Sequence, residues 1–134
     1  MTPLSRICRS RLRARRGRSA QVLAGDALAE YRAGARSWKI PVGGFWQAHR
    51  DAARRYAQWV GAWAGRYGEP GRAWDLYGGV GLFSHALADR VGRTGSVVLV
   101  EGEARAVADA RRNAHHRPEV RCVQGRVEAV LGEH

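Results

Sequence analysis

The sequence is short of lysine, cysteine and long apolar runs. A single lysine, Lys39, stands among 23 basic residues, so the positive charge is almost all guanidinium, which pairs bidentately with carboxylate and phosphate. The two cysteines, Cys8 and Cys122, lie far apart and lack any Cys-x-x-Cys or Cys/His spacing, which argues against zinc or redox work. Cys122 is expected to pack as a small apolar residue in a strand. Nowhere do about 18 apolar residues follow one another, and the N-terminus carries no apolar stretch of signal-peptide length. Membrane spanning and export are therefore not expected, and the cytoplasm is the default location. No repeat or low-complexity segment appears apart from an arginine run.

What is present fits one modest domain: 134 residues, 45% of them hydrophobic, with little room for a second core. The formal net charge is +11 against only 12 acids, which suits an anionic partner. Residues 1–20 hold Arg6, Arg9, Arg11, Arg13, Arg15, Arg16 and Arg18 and no acid. Such a run neutralises phosphates, and it is also what an unstructured, solvated tail looks like. The expected organisation is a basic tail over 1–20, a short hairpin or linker over 21–46 and a partial α/β domain over 47–134.

Residues 27–32 and 36–41 flank Ala33-Gly34 as a hairpin. From 47 to about 66, Ala52, Tyr56, Trp59, Val60 and Trp63 recur at three and four, predicting an amphipathic helix whose aromatic stripe packs into the core. Gly68, Pro70 and Gly71 break it. Strands then follow over 73–77, 96–100 and 120–123, separated by helices over 82–91 and 103–114, with a helical turn over 128–131. Strands joined by helical crossovers imply a parallel sheet whose ligands sit beyond the strand C-termini.

That edge carries the informative residues. Trp74-Asp75-Leu76-Tyr77-Gly78-Gly79-Val80-Gly81-Leu82-Phe83 is an apolar strand end with an acid, a glycine turn and the start of a helix. Glycines let the backbone turn sharply and approach a ligand closely. Glu101 ends the next strand 20 residues beyond Gly81, where an acid reaches ribose hydroxyls; its alternative is a solvated acid near a helix N-terminus, a role better suited to Glu103. This is how an α/β protein holds an adenosyl cofactor, and the one expected here is S-adenosylmethionine. The competing dinucleotide pattern Gly-x-Gly-x-x-Gly fails at its last position, where Ser84 stands, and Asp75 suits a methyl-donor loop better than an NAD site.

A second segment, Val42-Gly43-Gly44-Phe45-Trp46-Gln47-Ala48-His49, precedes the long helix. Together with Asp75 to Ser84 and Val100-Glu101-Gly102 it resembles the RNA uracil-5 methyltransferases, which form 5-methyluridine in tRNA or ribosomal RNA. The resemblance covers roughly residues 36–131. It implies a Rossmann-like class I methyltransferase fold, with about three strands of the parallel sheet present. It also implies that Gln47 hydrogen-bonds the methionine part of S-adenosylmethionine, that Asp75, Tyr77, Gly78, Gly79 and Gly81 form the binding loop, and that Glu101 holds the ribose. His49 reads as a surface or structural residue. After the third strand, where an acid or amide often contacts adenine, Gln124-Gly125-Arg126 places an arginine, read as plainly exposed.

The family chemistry needs a cysteine thiolate that attacks C6 of uracil and a base that removes the C5 proton. The cysteine follows an Asp-Pro-Pro-Arg segment, and none of Pro3, Pro41, Pro70 and Pro118 belongs to one. Cys122 is not a substitute, so no catalytic residue is assigned. The strand over 73–77 would also be left as an apolar sheet edge. The expectation is a portion of a longer methyltransferase, inactive alone, with RNA as partner of the complete protein and a complementing C-terminal chain as a further partner. Two alternatives stay open: a non-catalytic cofactor- or RNA-binding partner or decayed gene product, and an NAD-dependent oxidoreductase.

Overall fold

The computed structural model describes residues 11–13, 21–67, 71–92 and 94–132. Strands β1 (Arg11–Arg13) and β2 (Gln21–Ala24) pair antiparallel. Residues 11–13, expected within an unstructured tail, thus form a strand; the rest of 1–20 lies outside the described residues.

Strands β3 (Leu28–Ala33) and β4 (Arg36–Pro41) form the expected hairpin, with Leu28 opposite Pro41 and Tyr31 opposite Trp38. Gly34, at φ +67°, makes its turn. Alternation sends Trp38 and Ile40 inward, where they are buried with Ala53 and Leu82. Trp46 packs against Tyr31 and Trp38, with ring centroids 5.3 and 5.6 Å apart. The hairpin therefore shares a core with the helices that follow it.

Helix α1 (Ala52–Ala64) is shorter than expected, because residues 48–51 form bends and a turn and the backbone N–H of Asp51 donates to His49 Nδ1. Its inward face corrects the expectation of an aromatic core. Ala53 and Gly61 are buried, with Ala57, Val60 and Ala64 partly so, whereas Tyr56, Trp59 and Trp63 are 40%, 67% and 59% exposed. Small residues let α1 lie close to α2 (Leu82–Ala88): a Cβ on Gly61 would stand 3.7 Å from the Ala86 carbonyl. Turning the aromatics inward instead would hold the helices apart. A 3-10 turn, Gly65–Tyr67, ends the helix.

The main sheet has the order β5 (Arg72–Leu76), β6 (Ser96–Glu101), β7 (Val120–Gln124), all parallel, with Arg72 opposite Ser96 and Leu99 opposite Cys122. The central strand β6 is covered by neighbours, which is why its sequence is a continuous apolar run and Val97, Leu99 and Val100 are fully buried. Helix α3 (Ala104–Asn113) connects β6 to β7 and is N-capped by Glu103, whose carboxylate accepts from the Arg105 and Ala106 N–H groups at 3.0 and 2.7 Å. Helix α4 (Val127–Gly132) follows β7. Among the described residues β5 pairs on one side only, and Trp74 and Leu76 are each 38% exposed.

Candidate cofactor site

Strand β5 delivers Asp75, Leu76 and Tyr77 to the C-terminal edge of the sheet, and the chain turns through Gly78 to Gly81 into α2. Gly78 is demanded by packing: a Cβ there would meet Leu99 Cγ at 2.5 Å, so the loop lies directly on β6. Gly81, at φ +90°, occupies the N-cap position of α2 in a left-handed conformation that side chains rarely adopt. Tyr77 adopts a positive φ of 58° without being glycine. Such conformations persist where the surroundings hold them and cluster at ligand sites.

Glu101, at the end of β6, faces this loop. Its Oε2 accepts from the Gly79 N–H at 3.1 Å and its Oε1 from the Glu103 N–H at 2.8 Å. Each carboxylate oxygen has a second lone pair, so the group is fixed in orientation yet retains capacity for two hydroxyl donors. The geometry suits a vicinal diol.

Asp75 sits beneath the loop. Only 6% exposed, it accepts the Ser84 hydroxyl proton at 2.6 Å. Burial pushes its carboxyl pKa up, opposed by hydrogen bonds from Ser84. Asp75 and Ser84 pin the start of α2 to the end of β5. This accounts for serine where a dinucleotide motif has its third glycine.

Tyr77, 69% exposed, donates its phenol proton to Glu128 Oε1 of α4 at 3.3 Å. The negative charge of Glu128 beside it raises the phenol pKa. Arg126 is exposed, with Nε 3.6 Å from Glu128 Oε2. Trp46, the neighbour of Gln47, packs on the cluster of Trp38, Ile40, Ala53 and Leu82 that also receives Val80 and Phe83 of the loop and α2. The segments bearing Gln47, Tyr77 to Gly81 and Glu101 therefore converge, with Asp75 below them.

Sequence reasoning missed Asn113. On the last turn of α3, its Oδ1 accepts from the Lys39 N–H at 3.0 Å, while Nδ2 lies 3.4 Å from both the Lys39 and Val80 carbonyls. It thus ties β4 and the glycine loop to one helix. The available signal was a polar residue in step with Val107 and Ala110, two buried apolar positions of α3.

Cys122 is half-buried in β7, and burial raises its thiol pKa; a thiol so placed is a poor nucleophile. Among the described residues no group of three or more His, Cys, Asp or Glu side chains is placed to hold a metal, and no helix is long and apolar enough to cross a membrane.

No family profile matches the chain. Among curated proteins it is 46% identical over 108 residues to an uncharacterized RNA methyltransferase of Streptomyces avermitilis, covering 80% of this chain and 24% of that protein. It is 39% identical over 132 residues to an uncharacterized RNA methyltransferase of Corynebacterium efficiens, covering 90% of this chain and 30% of that one. Among solved structures, the Pyrococcus abyssi tRNA (uracil-54, C5)-methyltransferase in complex with S-adenosyl-L-homocysteine superposes with a TM-score of 0.57 at 22% identity, over 75% of this chain and 25% of that chain. A SAM-dependent methyltransferase from Agrobacterium tumefaciens gives a TM-score of 0.61 at 13% identity, over 86% of this chain and 38% of that chain. The fold is the Rossmann-like class I methyltransferase fold in part, three parallel strands with their helices, and the chain spans about a quarter of the length of curated relatives that are named RNA methyltransferases.

Proposed function

We propose that this chain is the S-adenosylmethionine-binding part of an RNA methyltransferase, and that the complete protein transfers the methyl group to C5 of a uridine in tRNA or ribosomal RNA. The observation that carries the reading is the Glu101 carboxylate, locked by the Gly79 and Glu103 N–H groups at the mouth of the glycine loop with lone pairs left for a ribose diol. The similarity to proteins named RNA methyltransferases supports the substrate class. The uridine C5 specificity rests on the pairing of Phe45-Trp46-Gln47 with Asp75 to Ser84.

In this reading Glu101 accepts the two ribose hydroxyl protons, Gln47 hydrogen-bonds the methionine end, and Tyr77 with Gly78, Gly79 and Gly81 lines the cleft. Asp75 fixes the loop through Ser84. The bound cofactor would supply an electrophilic methyl on sulfonium. The chain's own residues hold and orient it, and the thiolate and base of the family reaction come from elsewhere in the complete protein. The proposed setting is the cytoplasm.

A complementing chain has its own support in the one-sided pairing of β5 among the described residues and in the exposure of Trp74 and Leu76. Burying such surface contributes about 25 cal/mol per Å². We therefore propose that a further strand-bearing polypeptide, the C-terminal part of the complete protein, covers it.

Calorimetric titration with S-adenosylhomocysteine and, separately, NAD tests the reading. Saturable binding of the first that is lost in Glu101→Ala supports it. Tight NAD binding indifferent to that substitution would give the chain to dinucleotide chemistry instead.

A further inference from the structure

Away from the glycine loop, a cavity of about 270 Å³ opens between the hairpin turn, α1 and α2. Its floor is small and apolar, with Ala33, Ala57, Gly61 and Ala86 among its lining residues, and Trp38 and His85 line it as well. Trp38 Nε1 and both ring nitrogens of His85 are buried without a hydrogen-bond partner. Native structures rarely leave such groups unsatisfied, and each calls for an explanation. The two rings meet edge to face at 5.3 Å. Burial, with the nearby guanidinium groups of Arg117 and Arg36 and the ring of His116, lowers the His85 pKa to about 4 against a smaller opposing effect of Asp89. At neutral pH the ring therefore offers one donor and one acceptor.

Guanidinium groups also line this cavity. Arg36 bridges the His85 carbonyl at 3.3 Å and Asp89 Oδ1 at 2.6 Å, and Arg117 holds the same carboxylate oxygen, so Asp89 is already matched. Arg54 donates to Gln58 Oε1 at 3.2 Å and lies 3.8 Å from Asp51 Oδ1, an exposed and loose pairing. Arg90 is exposed and lies alongside Gly61 and Gly65, whose missing side chains leave it room. The cavity thus joins exposed or loosely paired cationic charge to small apolar lining residues, beside buried ring nitrogens that have no partner.

We infer that this cavity seats one nucleotide of single-stranded RNA, its phosphate on Arg54 and Arg90 and its base over the alanine and glycine floor against Trp38 and His85. The inference rests on the RNA reading above and adds a subsite separate from the methyl-donor cleft. At 270 Å³ the cavity lies just below the usual ligand-pocket range of about 300–1,000 Å³, room for a single nucleotide and too little for a duplex.

The test is fluorescence anisotropy of a labelled single-stranded oligouridylate against the 134-residue chain over a salt series, with S-adenosylhomocysteine affinity measured on every variant. Arg54→Gln/Arg90→Gln is expected to weaken RNA binding about tenfold and to lower the salt slope by about one phosphate contact. Arg111→Gln/Arg121→Gln, with the same loss of charge on α3 and β7, is expected to change affinity less than threefold. Equal losses from both arginine pairs, or no loss from the first, overturn the subsite and leave the RNA reading standing. Absence of RNA binding by the unaltered chain while it still binds S-adenosylhomocysteine overturns the inference.

Discussion

The Asn113 side chain and the Lys39 backbone hold each other across 74 residues of sequence: Oδ1 accepts the Lys39 N–H at 3.0 Å and Nδ2 faces the Lys39 carbonyl at 3.4 Å. The same Nδ2 reaches the Val80 carbonyl in the glycine loop. One carboxamide therefore sets where the hairpin, and the Gln47 segment that leaves it, stands relative to Gly78 to Gly81.

Asn113→Leu should remove these bonds while keeping volume. A loss of about 1–3 kcal/mol of stability is expected from partly buried backbone groups left unsatisfied, read by urea denaturation. S-adenosylhomocysteine affinity should fall as well when measured on the folded fraction. Unchanged affinity in a destabilised variant would confine Asn113 to the core.

Glu101→Ala should weaken S-adenosylhomocysteine binding by on the order of 1.5–3 kcal/mol, the value of hydrogen bonds to a charged group. The calorimetric Kd would rise correspondingly. Glu103→Ala removes only the α3 cap and should cost about 1 kcal/mol of stability without a comparable effect on affinity. Equal effects of the two substitutions on Kd would count against the ribose role.

Ser84→Ala leaves the Asp75 carboxylate buried without its hydroxyl donor and should destabilise by about 1–3 kcal/mol. Asp75→Asn/Ser84→Ala, which also removes the charge, should recover part of that loss. A double-mutant cycle measures the coupling, and strict additivity would show that the 2.6 Å contact carries little energy.

His85 supplies a pH dependence. Its pKa is lowered from 6.5 to about 4 in the folded chain, so between those values the unfolded state binds more protons. Its contribution is fully present above about pH 6.5 and is lost as pH falls toward 4, amounting to at most about 3 kcal/mol. His85→Phe should flatten the stability profile in that window, as followed by thermal denaturation at pH 4.5, 5.5 and 7. An unchanged slope would assign the acid sensitivity to other groups.

The β-α-β-α-β order was legible because β6 is an uninterrupted Val/Leu run and the glycines of the loop sit where the backbone needs them. Glu103 was readable as an acid favoured at a helix N-terminus, since an acid before an alanine-rich stretch is a local signal, though its capping hydrogen bonds were not. The orientation of α1 was not. Its aromatic stripe and its small-residue face both repeat at helical spacing, and only the approach of α2 to Gly61 decides which turns inward. The Asn113 bridge joins residues far apart in sequence, and no local pattern encodes its partner. The β1–β2 pairing was hidden by arginines, which mark charge and say little about backbone conformation.

The Glu101 carboxylate has a consequence for how a ligand would be greeted. A free glutamate side chain surrenders up to about 1.5–2 kcal/mol of rotational freedom when it is immobilised. Here two backbone amides have already stilled that rotor during folding, so an arriving diol would meet an acceptor with its torsions set. Part of the entropy of recognition is thus absorbed into the stability of the folded chain.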